Sequence, residues 1–344
     1  MVTTGLTKTN WSYSVTRFKS LVLCSLMLVL AACASTSENK NNHVTLLSSD
    51  FGFISDIYEG SGKQREVNSW LVLPEREQFT PPYPAVVFLH SSWGLSDQEW
   101  HYSRLFAEMG MASLVIDSFR SRGVRRTSRD QSLVSGASML ADAFSALDYL
   151  VKDSRFQSQS IAVMGFSKGA VASLYSSLVS IQSIMAKSNN QFAAHIAFYP
   201  WCGTSLADMQ TSGVPIAIHV GTEDVITPLN RCIDLVENKI ADEDKSHIQL
   251  VQYEGARHAF DHPALKRIPF AVPLSAQVPG DCHFIQKDKS QFVEESSGLI
   301  VSGENFKEVM AQCSSKTGVA GRDRKAAALA NENVKNFMRE VLLN

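Results

Sequence analysis

The sequence predicts an α/β fold with a mainly parallel central sheet and helices on both faces. Three observations predict it. Short apolar runs alternate with stretches of helical period through most of the chain. The run at residues 85–90 is almost wholly apolar, as a strand buried on both faces requires. A third apolar run ends in Gly165-Phe166-Ser167-Lys168-Gly169 and is followed by small residues that open a helix. That strand–turn–helix setting gives a G-x-S-x-G match a mechanism.

The elements follow in order. Residues 51–57 and 67–73 read as strands, and Pro81-Pro82-Tyr83-Pro84 breaks the chain before the strand at 85–90. Residues 97–109 are helical, with Trp100, Leu105, Phe106 and Met109 on the apolar side. A strand at 112–117 leads to an arginine-rich loop over 118–130 and a strongly periodic helix over 138–152. The serine strand and its helix run to about residue 181. Strands at 193–199, 215–220 and 248–253 follow, with a helix at 229–240 between the last two. Residues 261–322 read as an irregular insertion containing a short helix at 305–312. An amphipathic helix over 325–343 closes the chain.

With 344 residues, 44% hydrophobic and 19% charged, the chain is long enough for one large core. A net charge of −2 gives no electrostatic case for nucleic acid as a partner. At the N-terminus, Lys8, Arg17 and Lys19 precede the apolar run 21–30, and Ala31-Ala32-Cys33 follows. This is the pattern of a signal peptide over residues 1–32. Leu30-Ala31-Ala32-Cys33 resembles a bacterial lipobox, which implies cleavage before Cys33 and a lipid anchor on its sulfur. Ala34 resembles the sorting signal for the outer membrane, so the expected location is that membrane, facing the periplasm or the surface. Residues 33–48 are then lipidated cysteine and tether, and 49–344 a single domain.

Cysteine usage fits export. Of six cysteines, Cys24 leaves with the signal and Cys33 takes the lipid; Cys202, Cys232, Cys282 and Cys313 remain. Sequence order favours Cys202–Cys232 and Cys282–Cys313, the pairing with the shortest loops. Without a close C-x-x-C pair, a metal site is not expected.

The chemistry is read from what ends each strand. Ser167 follows one, Asp224 in Gly221-Thr222-Glu223-Asp224 follows a second, and His258 in Gly255-Ala256-Arg257-His258 follows a third. Serine, acid and histidine in that order are the order of an α/β-hydrolase. His258 would take the Ser167 proton, and Asp224 would hold the imidazole in the right tautomer. The N–H of Lys168, at the start of the helix, would face the same spot as the serine oxygen. Each residue has a plainer reading beside this one. Asp224 can be a turn residue before a proline-capped helix, and His258 a satisfied buried imidazole.

Tyr253-x-Gly255-Ala256-x-His258-Ala259-Phe260, Gly221-x-x-Asp224-x-x-x-Pro228 and Gly165-Phe166-Ser167-x-Gly169 together resemble the dienelactone hydrolase family. Residues 89–95 and 117–123 resemble that family's loops after its third and fourth strands. The resemblance spans about residues 86–260. It implies Ser167 as nucleophile, Asp224 as acid and His258 as base. It also implies an oxyanion hole from the N–H groups of Ser92 and Lys168, a pocket near His90, Trp93 and Tyr199, and no cofactor. The substrate would be a small-molecule ester or lactone. Two departures stand out. The family's founding enzymes use cysteine where this chain has Ser167. The arginines that hold their substrate's carboxylate have no clear counterpart, with Arg122 and Arg257 as candidates. The insertion at 261–322 is longer than the family's linker and is expected to fold over the site as a disulfide-tied flap. The rival functions are a peptidase related to prolyl oligopeptidases and a non-catalytic binding lipoprotein.

Overall fold

The computed structural model describes Met1 and residues 42–187, 190–265, 270–271, 277–316 and 318–343. The expected signal peptide, the expected lipid site Cys33 and nearly all of the expected tether lie outside the described residues. The chain divides into two units, one ending at His43 and a second that starts at Val44 and holds the sheets, the helices and the site.

Strand β1 covers His43–Asp50. It starts inside the stretch assigned to the tether, and residues 51–57, read as a strand, instead lead into helix α1, Ser55–Glu59. The reason is visible in the burial of Val44 and Leu46 alternating with exposed neighbours. Then come β2 (Lys63–Val72), β3 (Tyr83–Leu89), α2 (Asp97–Ala107), β4 (Ala112–Ile116) and α3 (Gly136–Lys152). Strand β5 (Phe156–Phe166) leads straight into α4 (Lys168–Tyr175), with α5 (Val179–Met185) after it. Next are β6 (Ala194–Phe198), the two-residue β7 (Thr204–Ser205) and β8 (Ile216–Gly221). The helix expected over 229–240 is α6 (Leu229–Asp234), which widens into a π-helical turn at Leu235–Lys239. Strand β9 (Ile248–Tyr253) ends this part of the chain.

The main sheet has eight strands in the order β1-β2-β4-β3-β5-β6-β8-β9. Strands β4, β3, β5, β6, β8 and β9 pair in parallel, and β2 runs antiparallel to β4. Alternation along β3 builds the two sides. Val87 and Leu89 pack with Leu140, Phe144 and Leu147 of α3. Val86 and Phe88 pack on the other side with Tyr102 and Phe106 of α2. Helix α8 (Arg324–Leu342) adds Ala330, Val334, Phe337 and Met338 to that second side, so helices cover both faces as expected. Ser96 caps α2 in a reciprocal capping box with Glu99.

The segment read as irregular is more regular than its prolines suggested. Strand β10 (Phe270–Ala271) pairs with β14 (Val319–Ala320). Strands β11 (Phe284–Asp288), β12 (Gln291–Glu294) and β13 (Ile300–Val301) join β7 in a small sheet. Helix α7 (Phe306–Cys313) lies within a residue of its expected place. Disulfides Cys202–Cys232 and Cys282–Cys313 are both formed, the pairing expected from the shortest loops. Among the described residues, no helix is long and apolar enough to cross a membrane.

Candidate active site

The parallel register sets the site. Leu89 pairs with Gly165, Phe166 with Phe198, Phe198 with His219, and Gly221 with Tyr253. Five strands therefore end along one line. The segments that follow them carry Ser92, Ser167, Tyr199, Asp224 and His258 to a single edge, where open parallel sheets bind ligands.

Ser167 sits between β5 and α4 with φ 52 and ψ −112. A non-glycine residue in that region costs roughly 1–3 kcal/mol. The flanking glycines allow it. A Cβ on Gly165 would lie 2.1 Å from the Gly169 carbonyl oxygen, and one on Gly169 would lie 2.3 Å from that of Leu89. The Ser167 N–H donates to Phe198 O at 2.9 Å, which ties the turn to β6.

The three predicted residues meet. His258 Nε2 is 3.0 Å from Ser167 Oγ, and His258 Nδ1 is 2.8 Å from Asp224 Oδ2. Asp224 is 4% exposed and His258 6%, whereas Ser167 is half-buried and faces a cavity. The N–H groups of Ile226 and Thr227 donate to Asp224 Oδ1 at 2.8 and 2.9 Å. The carboxylate oxygen facing His258 is thereby fixed, with Nδ1–H as its donor and Nε2 left to accept from Ser167. A serine hydroxyl held this way can be activated as a nucleophile.

The cavity at Ser167 holds about 1300 Å³ of empty space, its open mouth included. Ser92, Trp93, Lys168 and Tyr199 lie on its wall with Ser167 and His258, as the sequence suggested. Ser92 is held from two sides. Its carbonyl accepts from the Thr127 N–H at 2.8 Å, and its hydroxyl donates to Gln131 Oε1 at 3.1 Å. The N–H of Lys168 begins α4, where helical N–H groups have no intrahelical partner.

Two predicted pocket residues are elsewhere. His90 is fully buried, its Nδ1 on Ser91 O and its ring 4.3 Å from that of Phe119. It packs behind the loop because the residue right after β3 still points into the sheet layer. Arg122 is held away from the cavity by Asp50 Oδ1 at 2.6 Å and by both oxygens of Asp142 at 2.8 Å. Two carboxylates, from β1 and α3, claim its guanidinium, so it is neither a substrate ligand nor a solvated side chain. Arg257 pairs with Glu223 at 3.0 Å on the surface. The insertion does reach the site: Gln277, Val278, Pro279, Phe306 and Met310 line the cavity.

A model of the dienelactone hydrolase family matches residues 68–295. The chain belongs to the dienelactone hydrolase family. It is thus an α/β-hydrolase that cleaves a carboxylic ester or lactone. No curated protein matches the chain. Solved structures do. A thermophilic esterase of the Planctomycetes species Thermogutta terrifontis is 20% identical, with 57% of this chain and 79% of that one covered at a TM-score of 0.44. The same esterase, phosphorylated by paraoxon, is 21% identical, with coverages of 58% and 81% and a TM-score of 0.45. A dienelactone hydrolase-like promiscuous phosphotriesterase from metagenomic libraries is 16% identical, with coverages of 87% and 99% and a TM-score of 0.48.

In this dienelactone hydrolase-family chain, sequence reasoning missed three supports of the site. Thr227 donates to Asp224 Oδ2 at 2.9 Å. Its place three residues after Asp224, before a proline-led helix, was the available signal. Asp261, three residues after His258, accepts from Tyr199 OH at 2.9 Å, Tyr102 OH at 3.0 Å and Gln98 Nε2 at 2.9 Å. That buried cluster holds Tyr199 at φ 42 with its ring 4.6 Å from the imidazole of His258. The third support is the side chain of Lys168. It donates to Thr127 Oγ1, Gln131 O and Val134 O at 3.1, 2.9 and 2.7 Å. Burial pushes its ammonium down to about 7, while the Asp130 carboxylate pulls the other way. Lys168 therefore reaches across to the segment that holds Ser92.

Proposed function

We propose that Ser167 is the nucleophile, His258 the general base and Asp224 the orienting acid of an acyl-enzyme ester hydrolase. The observation that carries this reading is the unbroken line of hydrogen bonds from Ser167 Oγ through His258 to Asp224. Ser167 Oγ attacks the ester carbonyl as its proton passes to His258 Nε2. Asp224 stabilises the imidazolium through Nδ1–H. The N–H groups of Ser92 and Lys168 take the oxyanion, aided by the positive end of α4. The imidazolium then gives its proton to the leaving alcohol. Water, deprotonated by His258, attacks the acyl-serine and releases the acid, restoring Ser167.

The test is a fluorophosphonate label on the full chain in detergent, read by intact mass. One adduct is expected on the native protein, none on Ser167→Ala, and slow labelling on His258→Ala. An adduct of undiminished rate on Ser167→Ala overturns the assignment.

We further propose that the enzyme is an outer-membrane lipoprotein, anchored through Cys33 and working in the periplasm or at the surface. The support is the sequence Leu30-Ala31-Ala32-Cys33-Ala34 behind a basic and apolar leader. Metabolic labelling with palmitate tests it. Incorporation that survives Cys33→Ala would end the proposal.

A further inference from the structure

The cavity does not stop at the catalytic edge. Besides Ser167, its lining includes Val171 of α4, Leu140 of α3, Phe53, Phe306 and Met310. These five side chains are all apolar. Phe53 precedes α1, and its ring packs 5.5, 5.4 and 5.1 Å from those of Phe284, Phe292 and Phe306. Helix α7, which carries Phe306 and Met310, is tied at its end by Cys282–Cys313 and at its start by Lys307 to Asp130 at 2.9 Å. The wall is therefore built and held, not a chance gap between loops.

Among the described residues, Lys168 is the one lysine or arginine on this wall, and it is not open to an anionic substrate. The Lys168 ammonium already meets three oxygens, and Arg122 and Arg257 are held by carboxylates. A substrate carboxylate lodged here would lose its hydration without a partner. Apolar methylenes would gain by leaving water.

We propose that the site takes uncharged esters with an apolar acyl chain of several carbons, lodged against Val171, Leu140, Phe53, Phe306 and Met310. The proposal rests on Ser167 being the nucleophile, as argued above. Phe53, Phe306 and Met310 fall outside residues 68–295, the part that matches the family.

The experiment measures kcat/KM of the full chain in detergent for p-nitrophenyl acetate, butyrate and hexanoate, and for the charged mono-p-nitrophenyl ester of glutarate. Each buried methylene is expected to raise kcat/KM about fourfold, the equivalent of about 0.8 kcal/mol. Hexanoate should therefore exceed acetate by well over tenfold, and glutarate should fall far below hexanoate. Met310→Trp and, separately, Leu140→Trp should lower the hexanoate-to-acetate ratio at least tenfold. Partition into micelles would affect the variants and the parent alike, so it cannot mimic that drop. A flat series in a chain that turns over acetate overturns the proposal and leaves the nucleophile assignment intact. So does a preference for glutarate, or a ratio unmoved in both variants. No turnover of any ester, with no labelling of Ser167, overturns both.

Discussion

Asp224→Asn tests the site most sharply, because the replacement keeps its shape and turns one acceptor into a donor. The amide oxygen of the variant can still accept from the N–H groups of Ile226 and Thr227, which lie 2.8 and 2.9 Å from Asp224 Oδ1 in the parent. The amide nitrogen must then face His258 Nδ1, where a carboxylate oxygen now lies at 2.8 Å. An amide donates there, so the imidazole takes the tautomer with its proton on Nε2, pointing at Ser167. That ring cannot accept the serine proton. Restoring the useful tautomer would set two buried N–H donors against each other, at about 1–3 kcal/mol each. It would also forgo the charge-assisted bond that steadies the imidazolium, about 1.5–3 kcal/mol. The sum centres near 6 kcal/mol, or about 10⁴-fold in kcat at about 1.36 kcal/mol per decade. The assay is steady-state hydrolysis of p-nitrophenyl acetate, with circular dichroism and a urea titration to show that the fold is kept. A loss below about tenfold in a folded variant would refute the tautomer argument.

Other outcomes follow from neighbouring features. Lys168→Met removes three donated bonds to residues 127–134 and loosens the seat of Ser92. Its kcat should fall by about tenfold, roughly one lost hydrogen bond's worth in the transition state, with KM less affected. Arg122→Met strands Asp142, whose side chain is 0% exposed, and should cost about 3–5 kcal/mol in urea unfolding while leaving KM of the folded enzyme unmoved. Glu99 is buried, and burial raises its carboxyl to about 7 against the bonds from Ser96. The folded state then binds the proton more tightly than the unfolded chain, so stability is full at low pH and is lost as pH rises from about 4.5 to about 7. Glu99→Gln should raise stability at pH 8 by up to about 3 kcal/mol and change little at pH 4, read by urea midpoints at both. Replacing Cys282 and Cys313 by serine opens a loop of sequence separation 31. It should cost about 3–4 kcal/mol and lower the hexanoate-to-acetate ratio, both measurable on the same preparation.

The meeting of Ser167, Asp224 and His258 was legible because parallel strands impose an order. Each strand end is marked by a glycine or a polar turn, and the residue types found there have few other reasons to recur in that sequence. Burial partners were not legible. Arg122 and His90 have the right chemistry for a pocket, but Asp50, Asp142 and Phe119, which hold them elsewhere, come from β1, α3 and a loop. Strand β1 was missed because the exposed Leu47 beside the inward Leu46 blurs the alternation, and the polar stretch before it was read as tether. The small sheet of β11, β12 and β13 was missed for a similar reason. Strands of two to five residues between prolines and glycines carry too little periodicity to stand out from loop. Phe53 and Met310 lie in segments read as a strand and a short helix, but nothing in the period of either segment shows that these two side chains reach the cavity.

The wall lined by Phe53, Phe306 and Met310 is built on chain that the family pattern does not include, while Ser167, Asp224 and His258 all lie within it. If the two proposals hold, what the enzyme accepts and how it reacts are set by different stretches of one chain. The same division suits the engineer. Residues 50–54 and 300–313 form a cassette, joined to the rest of the fold through the Phe53 aromatic cluster, the Cys282–Cys313 disulfide, the pairing of β13 with β12, the bonds of Phe51 to Ser135 and Ser138, and the ion pairs of Asp50 with Arg65 and Arg122 and of Lys307 with Asp130. Grafting a different cassette onto the same catalytic edge would yield a set of hydrolases that differ in diet and share one engine.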